Sequence, residues 1–334
     1  MERTELVGER GHDMTALNLK GVRRWLAIHY WVVTVVVMFL SGSVDSFAAI
    51  DVHKRVFPTP EEAAITLLNA VKANDENGML AVLGPEGREL ISSGDEVADR
   101  GDRDAFIRNY ELMHKLVRKS ANTVILQLGT DKWNMPIPIV RKGSNWVFDT
   151  VKGKREILNR RIGRNELHVI EVLNAYVDAQ HEYATKDCSA CGKVVFAQKL
   201  ISTPGTRDGL YWEVKAGEQE SPLGPLIAKA ATEGYANSDL EPFHGYYFKV
   251  LKGQGRHAEG GAYSYVVDGK MILGFALVAY PAEYGNSGIM TFIVNQKGNI
   301  YQKNLGRKSR QIAEAMKNFD PDKGWKKVKE SAKR

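Results

Sequence analysis

Cys188 and Cys191 are the only cysteines in 334 residues, too few for a fold held together by disulfides. Phosphate-cradling glycine loops are missing too. Gly253-x-Gly255 has no third glycine in place and no dinucleotide-binding unit around it. His114, His168, His181, His244 and His257 fall at no metal-ligand spacing, so neither a metal nor a cofactor is expected. One-sided charge is scarce: 46 Lys and Arg against 40 Asp and Glu give +6, spread along the chain. That balance argues against a dedicated nucleic-acid reader. With 43% hydrophobic and 26% charged residues the composition is that of a globular protein, and it excludes a disordered tail or a multi-span membrane protein.

One long apolar run is present. Arg23 and Arg24 precede Trp25–Leu40, and the small and polar string SGSVDSFAA follows. A basic start, an apolar centre and a small-x-small exit at Ser46 and Ala48 predict a secretory signal over residues 1–48 and a periplasmic location. The alternative is an uncleaved anchor, although the run is short for spanning a bilayer comfortably. No cysteine follows it, which argues against a lipoprotein.

The remainder predicts an α+β chain in two parts, a small domain at 51–151 and a second at 152–325, with a basic tail at 326–334. Thr59-Pro60 suits a helix start, and Ala64, Leu67, Leu68 and Val71 recur at helical spacing. A short helix is expected over Asp75–Leu83, a polar loop over Ser92–Asp104 and another helix over Ala105–Leu116. Thr123–Leu128, Met135–Val140 and Trp146–Phe148 read as strands, the last two turning at Gly143-Ser144. Helices followed by a small antiparallel sheet resemble the nuclear-transport-factor-2-like pattern.

Lys152–Lys186 predicts a long helix. Ile162, Val169 or Ile170, Leu173, Val177 and Tyr183 form its apolar stripe, while Arg161 and Arg164 sit on the remaining face. Beyond it lie strand-like segments at His244–Leu251, Ala262–Val267, Met271–Pro281, Ile289–Asn295 and Asn299–Lys303. Asp268-Gly269 and Lys297-Gly298 are the turns between them. A closing helix is expected over Arg307–Phe319, with Ile312, Met316 and Phe319 facing inward.

Several strings resemble an exported bacterial family known as domain of unknown function 2950. Among them are Arg160-Arg161-Ile162-Gly163-Arg164-Asn165-Glu166, Asp208-Gly209-Leu210-Tyr211-Trp212, His244-Gly245-Tyr246-Tyr247-Phe248 and Tyr280-Pro281-Ala282-Glu283-Tyr284-Gly285. The resemblance implies export and no particular activity. The order from Asn165-Glu166 through the long helix to the Asn295-Gln296-Lys297-Gly298 turn also resembles the globular half of type II secretion pseudopilins and type IV pilins. That likeness implies a helix packed on an antiparallel meander. Pilins carry their polymerising apolar helix directly ahead of this segment, and here a soluble domain stands in that place.

Candidate chemistry is sparse. Cys188-Ser189-Ala190-Cys191 reads as a local disulfide in an oxidising compartment. Arg160, Arg161 and Arg164 suit a carboxylate or phosphate clamp, or else a solvated face that also pairs with Glu156, Glu166 or the other domain. Tyr246, Tyr263, Tyr265, Tyr280 and Tyr284, with Glu283 and Asn286, suit a groove for sugar or peptide, or else sheet core. Ser92-Ser93-Gly94-Asp95 lacks a nucleophile elbow and reads as a structural turn. Asp320-Pro321-Asp322 falls short of a calcium loop. These features point to a non-enzymatic binding or assembly module for an envelope protein or polymer. The alternative is a periplasmic hydrolase of peptide or glycan using Glu283 and the aspartates.

Overall fold

The computed structural model describes residues 54–186, 194–215, 217–235 and 241–329. The predicted signal over 1–48, the Cys188–Cys191 pair and the end of the basic tail lie outside these residues. The fold is α+β, and residues from Val52 onward form one compact unit holding two hydrophobic cores.

Helix α1 (Pro60–Lys72) begins as the sequence predicts: the Thr59 side chain accepts the Glu62 N–H at 3.1 Å, and Pro60 opens the first turn. Its apolar stripe packs on α2 (Glu76–Leu83), which Asp75 caps. A short α3 (Arg88–Ile91) follows. The predicted polar loop is instead the first half of a helix, α4 (Glu96–Leu112), and the chain is already extended from His114. Asp95 caps α4 by accepting the Ala98 N–H.

A small antiparallel sheet closes this first region. It comprises β1 (His114–Ser120), β2 (Thr123–Leu128), β3 (Trp133–Asn134), β4 (Ile139–Lys142) and β5 (Asn145–Phe148). The order is β1-β2-β4-β5, with β3 on β2. Alternation along β2 buries Val124, Leu126 and Leu128, as a half-buried strand requires.

Helix α5 (Thr150–Lys186) is the long helix, anchored by the Thr150 hydroxyl donating to the Leu83 carbonyl at 2.5 Å. Leu158 and Ile162 are buried in its first half, and Val169, Leu173, Tyr176, Val177 and Tyr183 in its second. Arg161 departs from its predicted place on the outer face and is buried, for a reason given by its partners below.

Two short parallel strands, β6 (Lys199–Ile201) and β7 (Gly209–Tyr211), and α6 (Gly224–Glu233) precede the second sheet. That sheet starts with β8 (Tyr246–Leu251). Small pieces follow: β9 (Gly253–Gln254), β10 (Tyr263–Ser264), β11 (Val266–Val267) and β12 (Lys270–Met271). Asp268-Gly269 joins β11 to β12, with φ of 49° and 75°. Next come β13 (Ala276–Pro281), β14 (Thr291–Asn295), β15 (Ile300–Lys303), α7 (Ser309–Ala315), β16 (Asn318–Phe319) and β17 (Lys326–Lys327). The larger sheet runs β17-β15-β14-β13-β8, all antiparallel.

Every residue of β13 and β14 is buried, the pattern of strands covered on both faces. The closing helix is shorter than its sequence suggests. Asn318 and Phe319 leave it to pair in parallel with β9, so Phe319 is core while Ile312 is exposed. Among the described residues no helix is long and apolar enough to cross a membrane.

Candidate functional site

The first region forms an open cavity of about 490 Å³ bordered by α1, α2, α3, α4, the sheet and the first half of α5. Its wall is mostly aliphatic, with Leu67, Met79, Leu128 and Ile137 among the lining side chains, and Phe106 and Trp133 add aromatic surface. Its polar side carries Arg103, Arg160, Arg161 and Arg164, together with Asp99, Asp102 and Asp131. The volume falls within the range of small-molecule sites.

Local structure sets this polar side. Asp99, Asp102, Arg103 and Phe106 recur at spacings of three and four along α4, which puts them on one helix face. Arg160, Arg161 and Arg164 come from α5 alongside. The four guanidinium groups are not equally committed. Arg160 donates to Glu156 at 2.7 Å on an exposed turn. Arg164 donates from one nitrogen to both oxygens of Asp102 at 3.1 Å. Arg161 is 7% exposed and donates to the carbonyls of Glu89 and Leu90, at 2.7 and 2.8 Å, and to Asn286 Oδ1 at 2.7 Å. Its partners are neutral. Burial pulls its pKa down, while the charges of Asp99 and Asp102 pull it up. Arg103 is half-buried and makes no hydrogen bond or ion pair among the described residues.

Asp99 is buried, and burial pushes its carboxyl above the usual range. The Ser93 N–H, donating at 2.8 Å, and the Arg161 charge oppose the rise. Such a carboxyl is a candidate proton donor, yet it already bonds the backbone turn that carries it.

Beside the cavity the two regions are tied by polar contacts. Asp95, 1% exposed, accepts the Gly245 N–H at 2.7 Å and the Tyr235 hydroxyl at 2.9 Å. Three donors, counting Ala98, satisfy one buried carboxylate. Asn286 donates to the Ser92 carbonyl at 2.8 Å and accepts from Arg161. Asn165 donates to the Ser287 carbonyl, and Glu166 accepts the N–H groups of Ile289 and Met290. His244 lies next to His168 and at 3.1 Å from Glu233. Burial and the His168 neighbour push its pKa down to about 4.

The arginines and the tyrosines named from the sequence are therefore placed differently. The arginine group lines one cavity. Tyr246 and Tyr265 are fully buried, their hydroxyls donating to the Met290 carbonyl at 3.0 Å and to Gln254 at 3.2 Å. Tyr263 packs edge-on against Tyr265. Tyr280 pairs across strands with Tyr247, whose ring carries Arg310 at 4.8 Å. Glu283 is exposed and Tyr284 half-buried, in the turn that also holds Asn286. No single groove gathers these tyrosines. The Ser92–Asp95 turn is held by its own side chains, as expected, but Asp95 also reaches the second region. The Asp320 and Asp322 carboxylates are taken by His257 and by Lys303.

Arg103, Asp99, Asp102 and Trp133 were not singled out by sequence reasoning. The usable signal was Asp95-Glu96, a capping residue followed by first-turn acid.

No curated protein and no solved structure matches the chain. A family model described as protein of unknown function, DUF2950, matches residues 54–328, and the chain belongs to that family.

Proposed function

We propose that the chain is an exported, non-enzymatic binding module, and that the cavity of the first region receives part of an envelope protein or polymer. The observation that carries this reading is the cavity itself: aliphatic walls beside a half-buried Arg103 with no partner among the described residues. In this reading the signal over 1–48 directs the protein to the periplasm, or, uncleaved, tethers it to the inner membrane. The first region follows the nuclear-transport-factor-2-like pattern and the second the pilin-like one, both of which suit binding as well as assembly.

The test is retention of solubilised envelope fractions by the purified protein and by an Ala105→Trp variant that fills the cavity. A component held by the first and lost by the second supports the reading. Equal retention by both overturns it.

The second reading, a hydrolase, rests on Asp99. A buried carboxyl with a raised pKa in a cavity that also holds Asp102 and Asp131 is a candidate acid–base arrangement. Turnover of a peptide or glycan that disappears in Asp99→Asn would favour this reading over the binder.

A further inference from the structure

Resting on that reading of the cavity as the binding site, we infer that the part of the envelope partner entering it is a single-chain amphiphilic anion: an apolar chain ending in one carboxylate or phosphate, seated against Arg103 and Arg161. Three observations converge on this chemistry.

The first is the wall. Apart from the charged groups on one side, Asn109 is the only lining residue with a polar side-chain amide. A peptide buried there would strand its backbone N–H and carbonyl groups, and each unpaired group costs binding. A glycan would strand its hydroxyls in the same way. A hydrocarbon chain has no such groups to satisfy. One edge of the sheet is also guarded against a peptide strand. β1 presents Lys115, Arg118 and Lys119, and charged edges of this kind resist strand addition.

The second is the charge. Asp102 is engaged by Arg164, and Glu156 by Arg160. That leaves Arg103 without a partner among the described residues and Arg161 hydrogen-bonded to neutral acceptors only, with Asp99 and Asp131 the remaining acidic groups of the lining. A guanidinium offers five N–H donors, and the three bonds of Arg161 leave two. Two donors on a planar fork match a carboxylate or a phosphate.

The third is depth. Arg161 is held from behind by Glu89, Leu90 and Asn286, so an anion meeting it finds a donor already positioned. Trp133, 41% exposed, gives the cavity an aromatic lining residue that water also reaches, a setting that suits an amphiphile.

The experiment is displacement of a neutral apolar dye, N-phenyl-1-naphthylamine, from the purified protein. The competitors share one chain length: dodecanoate, dodecyl phosphate, dodecanol and dodecyltrimethylammonium, alongside an apolar peptide with a free C-terminus. Dodecanoate or dodecyl phosphate should displace the dye at least tenfold better than dodecanol, with the ammonium weakest. The stronger of the two identifies the head group. Arg103→Gln should cut that advantage to about threefold or less while dodecanol changes less than twofold, and Arg103→Lys should restore part of it.

Equal displacement by dodecanoate and dodecanol, or stronger displacement by the peptide, overturns the amphiphile while leaving a binding cavity. Dye binding that is unchanged in Ala105→Trp means that the dye sits elsewhere, and the cavity reading itself falls. Arg103 has no partner to lose among the described residues, so its variants keep the test open even if Arg161 proves necessary for folding.

Discussion

The two cores are built from similar residues and packed to different ends. In the second region β13 and β14 are buried along their whole length, with Phe292, Ile293 and Val294 at 0% exposure. The first region surrounds Leu67, Met79 and Leu128 with equally buried neighbours yet leaves about 490 Å³ open beside them. Interiors normally fill to crystal-like density. The contrast is one of filling: the second core leaves about 100 Å³ open beside Tyr176 and Leu277, against about 490 Å³ in the first.

The largest effect should come from the filled core. Phe292→Ala should cost about 3–5 kcal/mol in urea unfolding, whereas Met79→Ala, which widens a space already present, should cost about 2 kcal/mol. Equal costs would break the contrast. Next is the tie between the regions. Asp95→Ala leaves the Gly245 N–H and the Tyr235 hydroxyl without their acceptor and should lose about 2–4 kcal/mol, measured in the same way. If the variant unfolds as the wild type does, the tie contributes little.

A smaller effect concerns pH. An unfolded histidine titrates near 6.5 and folded His244 near 4, so folding favours the neutral ring. Its contribution is complete above about pH 6.5 and is lost as pH falls through 4. After allowance for solvent screening of a partly exposed ring it amounts to roughly 1–2 kcal/mol. Unfolding midpoints for the wild type and His244→Asn should converge over that window; parallel curves would remove His244 from the account. Smallest of all, Arg160→Gln loses only an exposed i,i+4 pair and should shift stability by less than about 0.5 kcal/mol. A larger loss would sharpen the role of the cavity mouth.

The elements whose signals are local were legible in the sequence. The Thr59-Pro60 start, the alternation of Thr123–Leu128, the Gly143 and Asp268-Gly269 turns and the stripe of α5 all stand as read. What escaped was set by distant partners. The first half of α4 looked like a loop because the face it turns to the cavity is polar, and a helix without an apolar stripe shows no helical period. Arg161 reads either as solvated or as meeting the other domain, and only its acceptors, some seventy and more than a hundred residues away, decide for the second. The last turns expected of α7 were drawn off to pair with β9. The tyrosines carried no information on which would be buried, since burial depends on strand partners. Asp95 was readable as a cap and unreadable as a bridge.

Helix α5 has one more consequence. At 37 residues it is about 55 Å long, and its unbroken backbone packs Ile157 against the first core and places Leu173 and Tyr176 in the second. Neither core can melt without fraying a helix that the other needs. Heating should therefore give one calorimetric transition, with matching van't Hoff and calorimetric enthalpies, in place of the two steps expected of separate modules. The amides of α5 should exchange together with the slowest strands, at the protection of global unfolding.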